Sequence, residues 1–178
     1  MFESGQGRNS AALRSSKCVC FFNIWEEYMK EYMDLALKEA QKALRKNEVP
    51  VGAIIVKNNK VIAKAHNLKE KNQCVIEHAE IIAIKRASKK LKTWHLDDCE
   101  MYVTLEPCKM CCGAIEQSRL KKVYYGAKSY IFGNVESNVS RETLEQNNNT
   151  NVSRETYVKL SSKEASKIMT DFFKTKRK

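Results

Sequence analysis

Proline and glycine are scarce, with 2 and 6 residues among 178. That composition excludes a collagen-like fibre. No apolar run approaches the roughly 20 residues of a membrane-spanning helix. The apolar stretch Cys18-Val19-Cys20-Phe21-Phe22 is too short for the core of a secretory signal. Acidic residues are outnumbered by basic ones, 21 to 32, which leaves a formal charge of +11. Such a surplus suits a polyanionic partner such as nucleic acid, and equally a solvated basic surface. The chain is 43% hydrophobic and 30% charged, enough for one buried core and too apolar for wholesale disorder. Seven cysteines without a secretory signal indicate a reducing compartment, taken here as the cytoplasm. There, clustered thiols serve metals or catalysis.

Residues 1–23 carry Arg8, Arg14 and Lys17 against the single acid Glu3, with several serines. They read as a leader or upstream extension, with an organellar import segment as the lesser alternative. Residues 24–178 form the expected domain. The three- and four-residue spacing of Tyr28, Tyr32, Leu35, Ala36, Ala43 and Leu44 predicts a helix over 24–47, stopped at Val49-Pro50. Residues 51–56 and 61–65 predict a hairpin turned at Asn58-Asn59, residues that tolerate positive φ. A polar connector over 67–76 leads to a helix from His78 to about Leu91. Then come a strand over 100–105, a helix over 108–118, a strand over 122–127, a weak strand over 152–160 and a closing helix over 163–174. Helices alternating with strands predict a sheet covered on both faces, with helix-linked strands parallel. Residues 134–151 are a polar surface loop, and Asn-Val-Ser-Arg-Glu-Thr occurs at 138–143 and again at 151–156.

Two predicted helix starts carry the chemistry. His78-Ala79-Glu80 opens one, and Pro107-Cys108-Lys109-Met110-Cys111 opens the other, about thirty residues on. Cys108 and Cys111 lie one helical turn apart, so both sulfurs can reach one ion. One imidazole and two thiolates leave tetrahedral zinc an open fourth position, the mark of a catalytic site rather than a closed structural one. A helix N-terminus lowers thiol pKa, which favours the ligating thiolates. Bound zinc brings the pKa of its water toward about 7. Glu80, two residues from His78, can accept the water proton and pass it to a ring nitrogen and a leaving amine. A lone Cys-x-x-Cys would be half of a structural zinc site. The combination with His-Ala-Glu is the signature of zinc nucleobase deaminases.

The sequence resembles the tRNA-specific adenosine deaminases of bacterial type over about residues 24–178. The resemblance rests on Asn47-Glu48-Val49-Pro50-Val51-Gly52-Ala53, Asn67, His78-Ala79-Glu80-Ile81 and Tyr102-Val103-Thr104-Leu105-Glu106-Pro107-Cys108-Lys109-Met110-Cys111. It continues through Gly113-Ala114-Ile115, Ser118-Arg119, Tyr125-Gly126-Ala127 and Asp171-Phe172-Phe173 before a basic tail. It implies a three-layer α-β-α, cytidine-deaminase-like fold with a five-stranded mixed sheet, and a homodimer with its two sites near the interface. It implies hydrolysis of the wobble adenosine of a tRNA anticodon loop to inosine and ammonia. The matching residues would be His78, Cys108 and Cys111 on one Zn2+, with Glu80 as proton shuttle. Asn67 would bond the target base, Val49 and Ala79 would line its pocket, and Phe172 and Phe173 would approach neighbouring nucleotides. The chain departs from many relatives at Cys74-Val75-Ile76-Glu77 and at Lys128-Ser129-Tyr130-Ile131-Phe132-Gly133, both bordering the expected RNA face.

Blander roles stand beside these. Asn67 can simply cap a turn. Phe172 and Phe173 can both pack in the core, and the lysine-rich end can serve solvation alone. Cys112 is rotated about 100° from Cys111 and reads as a packing residue. Cys74 and Cys99 read as buried or incidental thiols, and His66 and His95 as non-catalytic. Two other functions use parts of the same pattern. A deaminase of free guanine or cytosine needs the zinc set without a phosphate-binding surface. A non-catalytic RNA-binding subunit keeps zinc but has no use for Glu80.

Overall fold

A computed structural model of the chain describes residues 16–135 and 156–176, and side chains from residue 26 onward. The chain divides into two units, one ending at Glu31 and the other beginning at Tyr32. Helix α1 spans Ser16–Leu44, so it starts eight residues before the expected position 24. Tyr28 and Leu44, expected on the apolar face, are exposed, whereas Tyr32, Ala36, Leu37, Ala40 and Ala43 are buried. The helix ends before Pro50 is reached. Asn47 takes a left-handed φ of 60°. The Glu48 N–H reaches the Ala43 carbonyl at 3.1 Å and the Asn47 N–H reaches that of Leu44 at 3.0 Å. This reciprocal closure satisfies carbonyls that a helix end would otherwise leave unpaired.

Strands β1 (Gly52–Lys57) and β2 (Lys60–His66) form the expected hairpin. Asn58 and Asn59 turn it with φ of 49° and 58°, the paired positive values of a tight hairpin loop. The polar connector holds a short helix, α2 (Lys69–Asn72), which hydropathy could not reveal because it buries nothing. Next come α3 (Ala79–Leu91), β3 (Cys99–Leu105), α4 (Lys109–Gln117) and β4 (Lys122–Ala127). Strand β5 (Tyr157–Lys159) and helix α5 (Lys163–Lys176) close the order. The expected strand over 152–160 is thus observed at 157–159, and its first residues, like most of the repeat loop, fall outside the described residues.

The five strands form one sheet in the order β2-β1-β3-β4-β5. β1 is antiparallel to both neighbours, and β3, β4 and β5 are parallel. Linkage through a helix therefore gives parallel neighbours for β3 and β4. Between β2 and β3 it gives only a shared direction, because β1 lies between them. Strand alternation builds two buried layers. Ala53, Ile55, Ala63, Ala65, Met101, Val103, Val123 and Tyr125 pack with Ile82, Ala83 and Ala87 of α3 and Ile115 of α4. On the other face Tyr102 stacks on Tyr124 at 4.6 Å between ring centres, and Tyr32 of α1 meets Tyr102 at 5.0 Å. Gly52 is bare because any Cβ would collide with the α1 backbone at Ala36 and Ala40. At Gly126 the fit is tight rather than closed, since a Cβ would crowd the Ala165 methyl of α5 and the Thr104 carbonyl at 3.0 and 3.1 Å. The result is the expected three-layer α/β/α fold with a mixed sheet. Each fully buried Leu, Met or Val contributes about 1.5–3 kcal/mol relative to exposure.

This topology brings the C-terminal ends of β2, β3 and β4 to one edge, with the N-terminal end of β1 beside them. In open α/β sheets, ligands bind at such an edge.

Candidate active site

His78 and Cys108 are the N-cap residues of α3 and α4, each with extended backbone and neither using its side chain as a cap. Both side chains are thereby free to turn toward one point. His78 Nδ1 lies 3.7 Å from Cys108 Sγ and 3.5 Å from Cys111 Sγ, and the two sulfurs are 3.6 Å apart. Among the described residues, these three form a group able to hold a metal ion. Tetrahedral zinc with ~2.3 Å bonds to sulfur and ~2.0 Å to nitrogen would separate two sulfurs by about 3.8 Å and sulfur from nitrogen by about 3.5 Å. The observed triangle has those edges, so the donor set fits a tetrahedral cation. Its fourth vertex would remain open.

The electrostatics point the same way. Contact with Cys111 holds the Cys108 thiol down to about 4, against burial that opposes ionisation. The same contact, with burial added, pushes Cys111 well up, so the sulfur pair shares one proton. His78 is raised, chiefly by its hydrogen bond with Cys108. A divalent cation displaces such protons and takes their place.

Glu80 is buried, in the first turn of α3, with its carboxylate in contact with the Cys111 thiol. Burial raises its pKa, partly offset by its own backbone N–H and by His78. A buried carboxyl held beside ligands it does not join is suited to carrying a proton.

Asn67 and Ala79 meet directly: the Ala79 N–H donates to Asn67 Oδ1 at 2.8 Å. Asn67 thus supplies the N-terminal acceptor that His78 does not. Its own N–H donates to the Val51 carbonyl at 3.1 Å, next to the Val49-Pro50 segment. Val49 is partly buried against the core. The structure divides the two phenylalanines. Phe172 is buried, while Phe173 is 43% exposed and meets its neighbour edge-on at 5.4 Å. Only Phe173 is open to a partner from solvent. Cys112 packs against the Pro107 carbonyl at 3.7 Å and is not one of the three converging side chains. Cys99 is buried and Cys74 partly so. His95 contacts Asp97 at 3.6 Å and stacks on Trp94.

Three buried polar residues brace neighbouring segments, a role the sequence did not reveal. Glu48 accepts the N–H groups of Glu70 and Lys71 at 3.1 and 2.8 Å, fixing α2. Glu106 accepts those of Ser129 and Val135 at 3.1 and 3.0 Å, fixing the segment after β4. His66 bridges Glu39 at 3.0 Å and Lys46 at 2.8 Å immediately before Asn67. An acid beside prolines and apolar residues, as in Glu48-Val49-Pro50 and Leu105-Glu106-Pro107, was the available signal.

The family model of MafB19-like deaminases matches residues 27–177. A tRNA-specific adenosine deaminase of Aquifex aeolicus is 46% identical over 149 residues, covering 83% of this chain and 96% of the relative. Its Bacillus subtilis counterpart is 54% identical over 102 residues, and there the chain spans only 61% of the relative's length. A solved tRNA:A34 deaminase superposes with a TM-score of 0.70 and 37% identity, over 78% of this chain and 99% of that one. A Bacillus subtilis guanine deaminase superposes less closely, with a TM-score of 0.55 and 31% identity over 69% of this chain. With the match running through both helix starts and along nearly all of the Aquifex relative, the chain belongs to the MafB19-like deaminase family and groups there with the tRNA-specific adenosine deaminases.

Proposed function

We propose that this protein hydrolyses adenosine to inosine at the wobble position of tRNA, consuming one water and releasing ammonia. The observation that carries the proposal is the convergence of His78, Cys108 and Cys111 on one point beside the buried Glu80. His78 Nδ1 and the sulfurs of Cys108 and Cys111 would hold one Zn2+, which when bound supplies the charge that makes water nucleophilic near neutral pH. Glu80 accepts the proton of the attacking water, donates it to the purine ring nitrogen as the new C–O bond forms, and assists departure of the amine as ammonia. Asn67 holds α3 in place through the Ala79 N–H, and its amide N–H2 is left to orient the base. Exposed lysines of α5, at positions 163, 167, 174 and 176, meet phosphates near Phe173.

Similarity to tRNA-specific relatives favours RNA over free bases as substrate. The same reading implies a homodimer and a cytoplasmic location, where thiols stay reduced. The decisive assay compares inosine formation in an anticodon stem-loop with ammonia release from free guanine, cytosine and adenosine. Turnover of the stem-loop is expected. Activity on free bases alone would replace this reading with that of a nucleobase deaminase. In cells lacking the protein, sequenced tRNA should lose inosine at the wobble position. Sedimentation of the purified protein reads its dimerisation.

A further inference from the structure

The segment after β4 is held rigidly for a stretch so exposed. The Gly133 N–H donates to the Ser129 carbonyl at 3.1 Å, closing a tight turn whose outer arc is Tyr130-Ile131-Phe132. The buried Glu106 carboxylate receives N–H groups from both sides of that arc, at Ser129 and Val135. The Asn134 N–H donates to the Pro107 carbonyl at 3.2 Å, and Gly133 pairs with Cys108 as an isolated antiparallel bridge. Gly133 is bare of necessity, since a Cβ would collide with the Glu106 carboxylate and the Ser129 carbonyl. The turn is therefore tied to the backbone that delivers Cys108. Yet Tyr130 is 89% exposed, Ile131 76% and Phe132 72%. Lys128 sits over the Tyr130 ring at 5.7 Å from its centre.

Two solvent-facing rings on a preorganised turn, with an ammonium beside one of them, make a platform of the kind that binds unpaired bases. Each base offers a π face to an aromatic ring, and the cation serves the neighbouring phosphate. A turn already held by these hydrogen bonds lowers the ordering cost of binding. We propose that Tyr130 and Phe132 stack on unpaired nucleotides flanking the target base, with Lys128 at the intervening phosphate. This deepens the proposed function and rests on its RNA substrate. The platform would hold the loop splayed while the target nucleotide enters beside Cys108, so that its contribution falls on capture of RNA rather than on the chemical step.

The test uses full-length metal-loaded protein and an anticodon stem-loop carrying 2-aminopurine next to the target adenosine. In the wild type, stacking should quench the fluorophore on binding. The double variant Tyr130→Ala with Phe132→Ala should fold normally, because both rings face solvent. It should lose the quench and raise KM for the stem-loop roughly tenfold or more, with the loss concentrated in KM. Tryptophan at both positions should restore quench and KM, and leucine at both should not. Unchanged KM and quench in the double alanine variant would overturn the inference, and so would full rescue by leucine, which would indicate apolar contact without stacking. Conversion of a dimer into a monomer by the alanine pair would overturn it too, because the rings would then belong to a protein interface. A wild-type protein that quenches the fluorophore yet deaminates only free bases would remove the proposed reaction and leave the platform standing.

Discussion

Asn67 Oδ1 accepts the Ala79 N–H at 2.8 Å, and that single bond joins the end of β2 to the residue between His78 and Glu80. The proposed function assigns the other end of this side chain, the amide N–H2, to the base. Asn67→Asp keeps the acceptor toward Ala79 and removes the donor. Its melting temperature should stay near that of the wild type, while kcat/KM on the stem-loop falls at least about tenfold, the scale of one lost charge-free hydrogen bond in a desolvated site. Asn67→Ala should lose both, with about 1 kcal/mol of stability gone with the cap. Activity of the aspartate variant equal to wild type, read alongside thermal melts, would reduce Asn67 to its capping role.

Glu80→Gln tests the proton shuttle. The amide preserves volume but cannot exchange the proton, so kcat should fall by about 10²–10⁴ while metal content per chain is unchanged. The substitution also replaces a buried carboxylate by a neutral group, so the variant should melt higher than the wild type. Elemental analysis and calorimetry on the same sample read both effects. A variant that turns over at the wild-type rate would remove Glu80 from the mechanism.

Removal of the metal should uncouple the two helix starts. Purified protein is expected to carry one zinc per chain, and a chelator should abolish turnover and lower the melting temperature, because a ligand bound only by the native state stabilises it by mass action. Re-addition of zinc should restore both. Cys111→Ser should bind the metal more weakly, since an alcohol is a poor substitute for a thiolate ligand.

The local pattern made this site legible. His78 and Glu80 lie in one short segment and Cys108 and Cys111 in another, each at a helix start, so spacing made each half readable and the likeness to zinc deaminases joined the two. The hairpin was equally readable, because Asn58-Asn59 announces positive φ between two apolar runs. Long-range relationships were not. Nothing in the sequence orders β1 between β2 and β3, since a helical link fixes direction but not adjacency. The clamps made by Glu48 and Glu106 join residues more than twenty positions apart through backbone N–H groups, which carry no side-chain signature. Phe172 and Phe173 looked equivalent in sequence, and helical rotation separates them by about 100°, which buries one and exposes the other.

The Glu39–His66 contact predicts acid sensitivity. His66 is buried, and burial lowers its pKa below the usual 6.5 despite the neighbouring Glu39 carboxylate. At 3.0 Å the contact has the length of an ion pair, but the lowered pKa makes it a hydrogen bond from neutral imidazole to carboxylate. Lys46 then donates to the other ring nitrogen. Glu39 is lowered below 4.5 even though burial opposes it, because Lys42 and His66 donate to its carboxylate. Both groups bind protons more readily in the unfolded chain, so both make stability rise with pH. The His66 part is fully present above about pH 6.5 and begins to be lost below it. The Glu39 part is lost below about 4.5. Urea unfolding at pH 8, 6 and 5 should therefore show declining stability, and His66→Asn should flatten the decline between 8 and 5.

Salt dependence separates a phosphate-binding surface from mere solvation of the basic end. Each phosphate contact releases about one condensed counterion, and for single strands the slope of log affinity against log salt is about −0.7 per contact. Lys167 and Lys174 lie on the exposed face of α5, close in sequence to the exposed Phe173. If they meet phosphates, stem-loop affinity should fall steeply between 50 and 200 mM salt, on the order of tenfold for two or three contacts. Lys167→Gln with Lys174→Gln should make that slope shallower by about 1.4 and weaken binding to every stem-loop sequence alike. Fluorescence anisotropy across a salt series measures this directly. A slope unaltered by the paired substitution would assign those lysines to solvation and leave the RNA surface to other residues.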